Sequence, residues 1–206
     1  MSIKILSETK RDLVESSPPK NCKAHLWLAE KTRTAINNKI QRNDVLDAYF
    51  SKRAEAKMRN HALSARKEKK EVMGVLLGEV KKSKEKTYIV ARDTVTTDLD
   101  ATNVSVRFDR AGFEKLFAGM DEAGFDYVIV GWYHSHPGHG CFMSSTDIET
   151  QKSMFSSPWH IAVVIDPLKF DVAAFALRGG KVEILTFAVY WRDFDDPYGG
   201  LERIRK

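Results

Sequence analysis

Cysteine is almost absent: Cys22 and Cys141 are the only two in 206 residues. They stand far apart and form no C-x-x-C, which excludes a disulfide framework and a thiolate zinc site. Long apolar runs are also missing. No stretch approaches the roughly 18 residues that a membrane span needs. The opening M-S-I-K-I-L-S-E-T-K lacks a signal-peptide core, so a cytoplasmic protein without a membrane partner is expected. Internal repeats and low-complexity tracts are absent, and one clear breaker cluster, Ser16-Ser17-Pro18-Pro19, interrupts the N-terminal region. Consecutive prolines exclude both helix and central strand, so what precedes them reads as a loosely held arm.

A large excess of one charge is missing as well. The net charge is +5, yet residues 1–70 hold 17 Lys and Arg against 8 Asp and Glu, while residues 71–206 hold 16 against 20. Cations in the basic half are interspersed with acids and apolar positions, as on the wet face of a helix, so nucleic acid is not expected as a partner. The apolar fraction of 43% and charged fraction of 30% are those of a globular chain able to enclose one core.

What is present concentrates in Gly131 to Asp147, G-W-Y-H-S-H-P-G-H-G-C-F-M-S-S-T-D. Tyr127 to Tyr133 is a β-branched and aromatic run that predicts a buried strand. His134 and His136 follow two apart, and alternation along a strand would project both imidazoles into one space. Pro137 and Gly138 end the strand. Ser144-x-x-Asp147 then predicts a helix start, with Ser144 as N-cap and the Asp147 carboxylate in the first turn, able to reach back toward the histidines. Two imidazoles and a carboxylate are what a catalytic zinc uses when one position stays open for water. His139, in the turn, is expected to meet solvent or substrate rather than a metal.

Along the rest of the chain, the periodicity of Cys22 to Ile40 does not choose between helix and strand. From Asp44 to about Arg66, Val45, Leu46, Tyr49, Phe50, Ala54, Met58 and Ala62 recur at spacings of three and four, which predicts one helix capped by Asn43 or Asp44. Glu71 to Gly78 and Thr87 to Val95 read as strands, with Glu71 at the mouth of the first. Thr96 to Asn103 is a polar loop, Val104 to Phe108 a short strand, and Asp109 caps a helix whose apolar face is Phe113, Leu116, Phe117 and Met120, ending at Gly124. His160 to Ile165 is a central strand with His160 in a structural role, and Val172 to Leu177 with Val182 to Trp191 a hairpin across Gly179-Gly180. Asp193 to Lys206 reads as a frayed, charged tail. The fold class is therefore α/β, a mixed β-sheet flanked by helices, with an N-terminal extension over 1–39, a main domain over 40–192 and a tail over 193–206.

Taken together, E-V-M-G-V-L-L-G from Glu71 and the stretch ending at Asp147 closely resemble the JAMM (MPN+) zinc metalloproteases, most nearly those of the proteasome lid and the COP9 signalosome. The resemblance covers roughly Ile40 to Trp191. It implies one zinc ion on His134, His136 and Asp147, Glu71 as general acid/base and Ser144 as the oxyanion-stabilising hydroxyl. The implied reaction is hydrolysis after the C-terminal glycine of ubiquitin or a ubiquitin-like modifier, with such conjugates as partners and the proteasome as a possible assembly. It also implies that Val95, Thr96, Thr97, Asp98, Leu99, Asp100, Ala101, Thr102 and Asn103 supply a strand against the modifier tail. Phe142 stands where the family has Trp and His139 where it has Tyr or Phe. Asp166 to Asp171 leaves little room for the family's second insertion. The C-terminal lid-docking helices are missing, so the expected setting is a simpler, archaeal type of system. Three rivals exist: a catalytically silent MPN scaffold, a zinc deaminase, whose H-x-E and P-C-x-x-C signatures are absent, and a basic binding module working through residues 1–70.

Overall fold

The computed structural model describes residue 13, residues 15–96 and residues 128–191. Their elements, in chain order, are β1 (Cys22–Ala24), α1 (Glu30–Gln41), β2 (Ala48–Ser51), α2 (Lys52–Ser64), a 3-10 turn (Arg66–Glu68), β3 (Met73–Ser83), β4 (Lys86–Thr96), β5 (Val128–Ser135), α3 (Ser145–Met154), β6 (Ile161–Asp166), β7 (Asp171–Arg178), β8 (Lys181–Ile184) and β9 (Phe187–Tyr190). All nine described strands form one sheet in the order β1-β9-β2-β4-β3-β5-β6-β7-β8. The β2/β4, β2/β9 and β5/β6 pairs are parallel and the others antiparallel, so the expected mixed sheet with flanking helices is what forms. No helix among the described residues is long and apolar enough to cross a membrane.

Cys22 to Ile40 divides into both candidates, an edge strand on β9 and a helix whose Ile36 enters the core. The single helix expected from Asp44 is instead a strand followed by a helix. Ala48, Tyr49 and Phe50 are consecutive and no more than 2% exposed, which one helical stripe cannot achieve but a central strand covered on both faces can. Ser51, not Asn43 or Asp44, caps α2: its hydroxyl accepts the Ala54 N–H at 3.0 Å and donates to the Arg92 carbonyl at 2.6 Å. Asn43 takes a left-handed φ of 58° just after α1, and Asp44 pairs with Arg42.

The expected hairpin is also broken. β8 pairs with β7, but β9 lies between β1 and β2. Ile184 faces Phe175 while Phe187 faces Ala48, and three residues span at most about 11 Å. The sheet must therefore curl until the β7 end approaches β2. Asp47 fixes the crossing by accepting the Thr186 N–H at 2.7 Å and hydroxyl at 2.6 Å. Burial explains the split, since β9 is buried throughout and β8 exposed throughout.

The expected loose arm is held at its end. Ser16 N donates to the Lys82 carbonyl at 2.8 Å, and the Tyr88 hydroxyl donates to Ser16 O at 2.9 Å. The loop over Thr97–Asn103, the strand at Val104, the helix after Asp109 and the tail from Asp193 lie outside the described residues.

Under β1, the buried Glu55 of α2 gathers His25 Nε2 at 3.2 Å, Arg59 Nε at 2.8 Å and Lys52 Nζ at 3.2 Å. Burial pushes its pKa up, but these three partners outweigh burial and hold it at about 2. A depressed folded-state pKa means that the unfolded chain binds the proton first as pH falls. This stabilisation, about 3 kcal/mol, is thus complete above the unfolded value near 4.5 and lost as pH drops through 2. Thermal unfolding between pH 5 and pH 2 should show a steep stability loss that Glu55→Gln flattens; parallel curves would remove Glu55 as the cause.

Candidate metal centre

The site forms where β5 ends. Alternation along β5 places Trp132 and His134 on one face, and His136 continues it one residue past the strand. Both imidazoles are buried, and their Nε2 atoms come within 3.1 Å of each other. Asp147, in the first turn of α3, brings Oδ1 to 3.2 Å from His134 Nε2 and Oδ2 to 3.5 Å from His136 Nε2. The three ligand atoms lie within 4.8 Å of one another.

The donor chemistry fits a cation. His136 Nδ1 lies 3.3 Å from the Gly140 carbonyl, which can only accept, so Nδ1 carries the proton and Nε2 turns a lone pair toward His134 and Asp147. Burial lowers the His136 pKa, yet the Asp147 hydrogen bond and charge, with Glu71 and Gly140, raise it overall. Burial likewise pushes Asp147 up, and the hydrogen bonds that His134 and His136 donate when protonated, with that of Ser144, hold its carboxyl well below the usual range. A positive charge is thus favoured at the convergence of the three side chains. His134, His136 and Asp147 are the residues that could hold a metal there.

His134 is oriented by packing. Its ring stacks on Trp132 at 4.5 Å and 14°, and Trp132 stacks on Phe155 at 5.6 Å and 9°. Trp132 Nε1 donates to Gln151 Oε1 at 2.7 Å, and Gln151 Nε2 donates to the carbonyls of Phe155 and His160. The His134 Nδ1 atom is buried and has no hydrogen-bond partner among the described residues. Sequence reasoning missed Trp132 and Gln151, because a Gln in a helix and a Trp in a strand carry no local sign that they meet.

Ser144 caps α3 reciprocally with Asp147: its hydroxyl accepts the Asp147 N–H at 3.2 Å, and its own N–H donates to Asp147 Oδ2 at 2.7 Å. The cap uses a lone pair of the hydroxyl and not its proton, and the side chain also helps to hold the Asp147 pKa down. Glu71 is exposed just before β3. Val72 N donates to Ser135 Oγ at 3.0 Å and Ser135 N to Val72 O at 2.9 Å, which holds the chain beside His136, where the Glu71 charge is felt.

Other expected site residues divide by position. The Phe142 ring, 48% exposed, lies 4.9 Å from His136. Val95 and Thr96 end β4 opposite Val75 and Gly74, while Thr97, Asp98, Leu99, Asp100, Ala101, Thr102 and Asn103 lie outside the described residues. His139 is exposed in the turn and does not join the three converging side chains. His160 lies 3.1 Å from the Ile129 carbonyl through Nε2 and accepts the Ser157 N–H, a structural pairing. Burial pushes the Cys141 thiol up to about 12, so it offers no thiolate. Only Pro167 to Phe170 separates β6 from β7, which leaves little room for a second insertion there.

Among solved structures, a protein from Desulfitobacterium hafniense, determined in solution, superposes with a TM-score of 0.53 at 19% identity over 70% of this chain and 94% of that one; the likeness is one of fold. In sequence, the chain is 34% identical over 154 residues to COP9 signalosome complex subunit 5 of Debaryomyces hansenii, covering 72% of this chain and 30% of that one. With the Drosophila melanogaster subunit 5 it shares 32% over 177 residues, 82% and 50% of the two chains. With 26S proteasome non-ATPase regulatory subunit 14 of Dictyostelium discoideum it shares 39% over 101 residues, 48% and 32%. The chain thus spans half or less of the length of these relatives. A model of the JAB1/Mov34/MPN/PAD-1 ubiquitin proteases matches residues 44–156, more than half of the sequence and the segment that carries every side chain of the metal centre. With its sheet, its His-His-Asp centre and this match in agreement, the chain belongs to the JAB1/Mov34/MPN/PAD-1 family.

Proposed function

We propose that the chain is a zinc-dependent isopeptidase that hydrolyses the bond after the C-terminal glycine of ubiquitin or a ubiquitin-like modifier. The observation that carries this reading is the convergence of His134, His136 and Asp147 with Glu71 and the Ser144 hydroxyl at its rim. Bound there, zinc supplies Lewis acidity and acidifies water toward a pKa of about 7.

The chain's own groups do the rest. Exposed Glu71 takes a proton from water on its carboxylate and returns it to the departing lysine amine. Ser144 Oγ–H, free of the cap, donates to the developing oxyanion. Phe142 covers the His136 side of the centre and meets the modifier tail, and the segment from Val95 to Asn103 adds a strand to it. The partners are modifier conjugates. Because the relatives are named as signalosome and proteasome subunits, an assembly partner belongs to the same proposal, in a cytoplasmic system simpler than the proteasome lid.

Incubation of the full chain with fusions of candidate modifiers and with modifier chains, with and without chelator, tests it by mass. Chelator-sensitive release of a modifier ending in glycine is expected. A zinc-loaded chain that binds the modifier and leaves every fusion intact would favour the silent scaffold instead.

A further inference from the structure

We infer that Asp166 is a positioning residue for His136: its carboxylate clamps the turn after that histidine, so that the Gly140 carbonyl presents the imidazole to the metal centre through Nε2. Asp166 ends β6 and is 0% exposed. Its carboxylate accepts four backbone N–H groups, from Gly138 at 2.9 Å, Gly140 at 2.7 Å, Leu168 at 2.9 Å and Lys169 at 3.0 Å. No Lys or Arg among the described residues pairs with it, so these amides are what compensates the buried charge.

The two oxygens are used differently. Oδ1 takes Leu168 and Lys169 in the turn that follows β6, and also Gly138, while Oδ2 takes Gly140 alone. The Leu168 and Lys169 contacts would close a local turn in any protein. The Gly138 and Gly140 contacts reach across to the loop that follows His136, and the Gly140 contact alone fixes the residue whose carbonyl faces His136 Nδ1. Gly138 and Gly140 have φ of 88° and 84°, left-handed conformations in which these two N–H groups point at one carboxylate while the His139 N–H between them donates to the His136 carbonyl. His136 is meanwhile held from its backbone, its N–H donating to the Ile165 carbonyl at 2.9 Å. The end of β6 therefore holds this ligand by main chain and by ring.

The asymmetry supplies a selective lesion. In Asp166→Asn the remaining oxygen can keep the three Oδ1 contacts while the amide NH2 faces the Gly140 N–H, donor against donor. Zinc affinity of the full chain, measured by competition with a chromophoric chelator, is expected to fall about 10- to 100-fold, as for the loss of an outer-shell partner. Because Asp166 acts through His136, the same change in a His136→Ala background is expected to add no loss, whereas a general loosening of the fold would add its full effect. Unchanged zinc affinity, or the same further loss in both backgrounds, overturns the proposal. If Asp166→Asn does not fold, the unmodified protein carries the test. Nitrogen-15 spectra should show His136 protonated at Nδ1, and the Gly138 and Gly140 amides should resist hydrogen exchange. The opposite tautomer or freely exchanging amides overturn the proposal. It rests on His134, His136 and Asp147 binding metal. A chain that takes up no zinc overturns that reading and the clamp together, whereas zinc uptake with an indifferent Asp166→Asn overturns the clamp alone.

Discussion

Glu71→Gln is expected to lower turnover of a modifier fusion by about 100- to 10,000-fold, the span typical of a lost general acid/base, with zinc content unchanged at one per chain. Gln keeps the size and the position before β3 but cannot take a proton from water. It also lies outside the three converging ligand atoms, so metal affinity should hardly move. Single-turnover cleavage and metal analysis on the same preparation check both halves. Full activity would remove Glu71 from the proton path, and loss of zinc would make it a ligand. A large fall in rate with zinc retained is the result that only the assigned role produces.

Asp147→Asn should instead lose metal and activity together. The carboxylate supplies the negative charge of the site, and its oxygens lie 3.2 and 3.5 Å from the two imidazoles. A neutral amide should weaken zinc by more than the about 10- to 100-fold that an outer-shell lesion costs. The same side chain accepts the Ser144 N–H at the start of α3, a contact that an Asn oxygen can still make. What the helix loses is a negative charge near its N-terminus, about 0.3–1 kcal/mol. Chelator competition should therefore show a large affinity loss beside a small shift in the thermal midpoint of the zinc-free protein, measured at a pH well above the histidine range, where the imidazoles are neutral. A midpoint collapse with zinc affinity intact would make Asp147 a cap and nothing more.

Much of this centre was legible in the sequence, because its parts are local. A strand period of two predicts that His134 and His136 share a face, and a helix cap three residues long predicts that Ser144 and Asp147 meet. The corrections arose where one pattern admits two geometries. Val45 to Ala62 satisfies a helical spacing, yet Ala48, Tyr49 and Phe50 are a buried strand between β4 and β9. Val182 to Trp191 satisfies a strand pattern, yet it breaks at Leu185 and Thr186, because Asp47 captures Thr186.

The sequence by itself determined the chemistry available: two imidazoles and a carboxylate at ligand spacing, a hydroxyl at a helix start, an acid at a strand mouth, and no thiolate alternative. Tertiary structure alone decided which groups those side chains meet. Pairing of β3 with β5 brings Glu71 beside His136, the Trp132–Gln151 contact orients His134, and Asp166 reaches the loop after His136 from the end of β6. These are contacts between residues remote in sequence, and neither propensity nor periodicity carries them. Hydrogen-bond and packing geometry select them only once the sheet has curled.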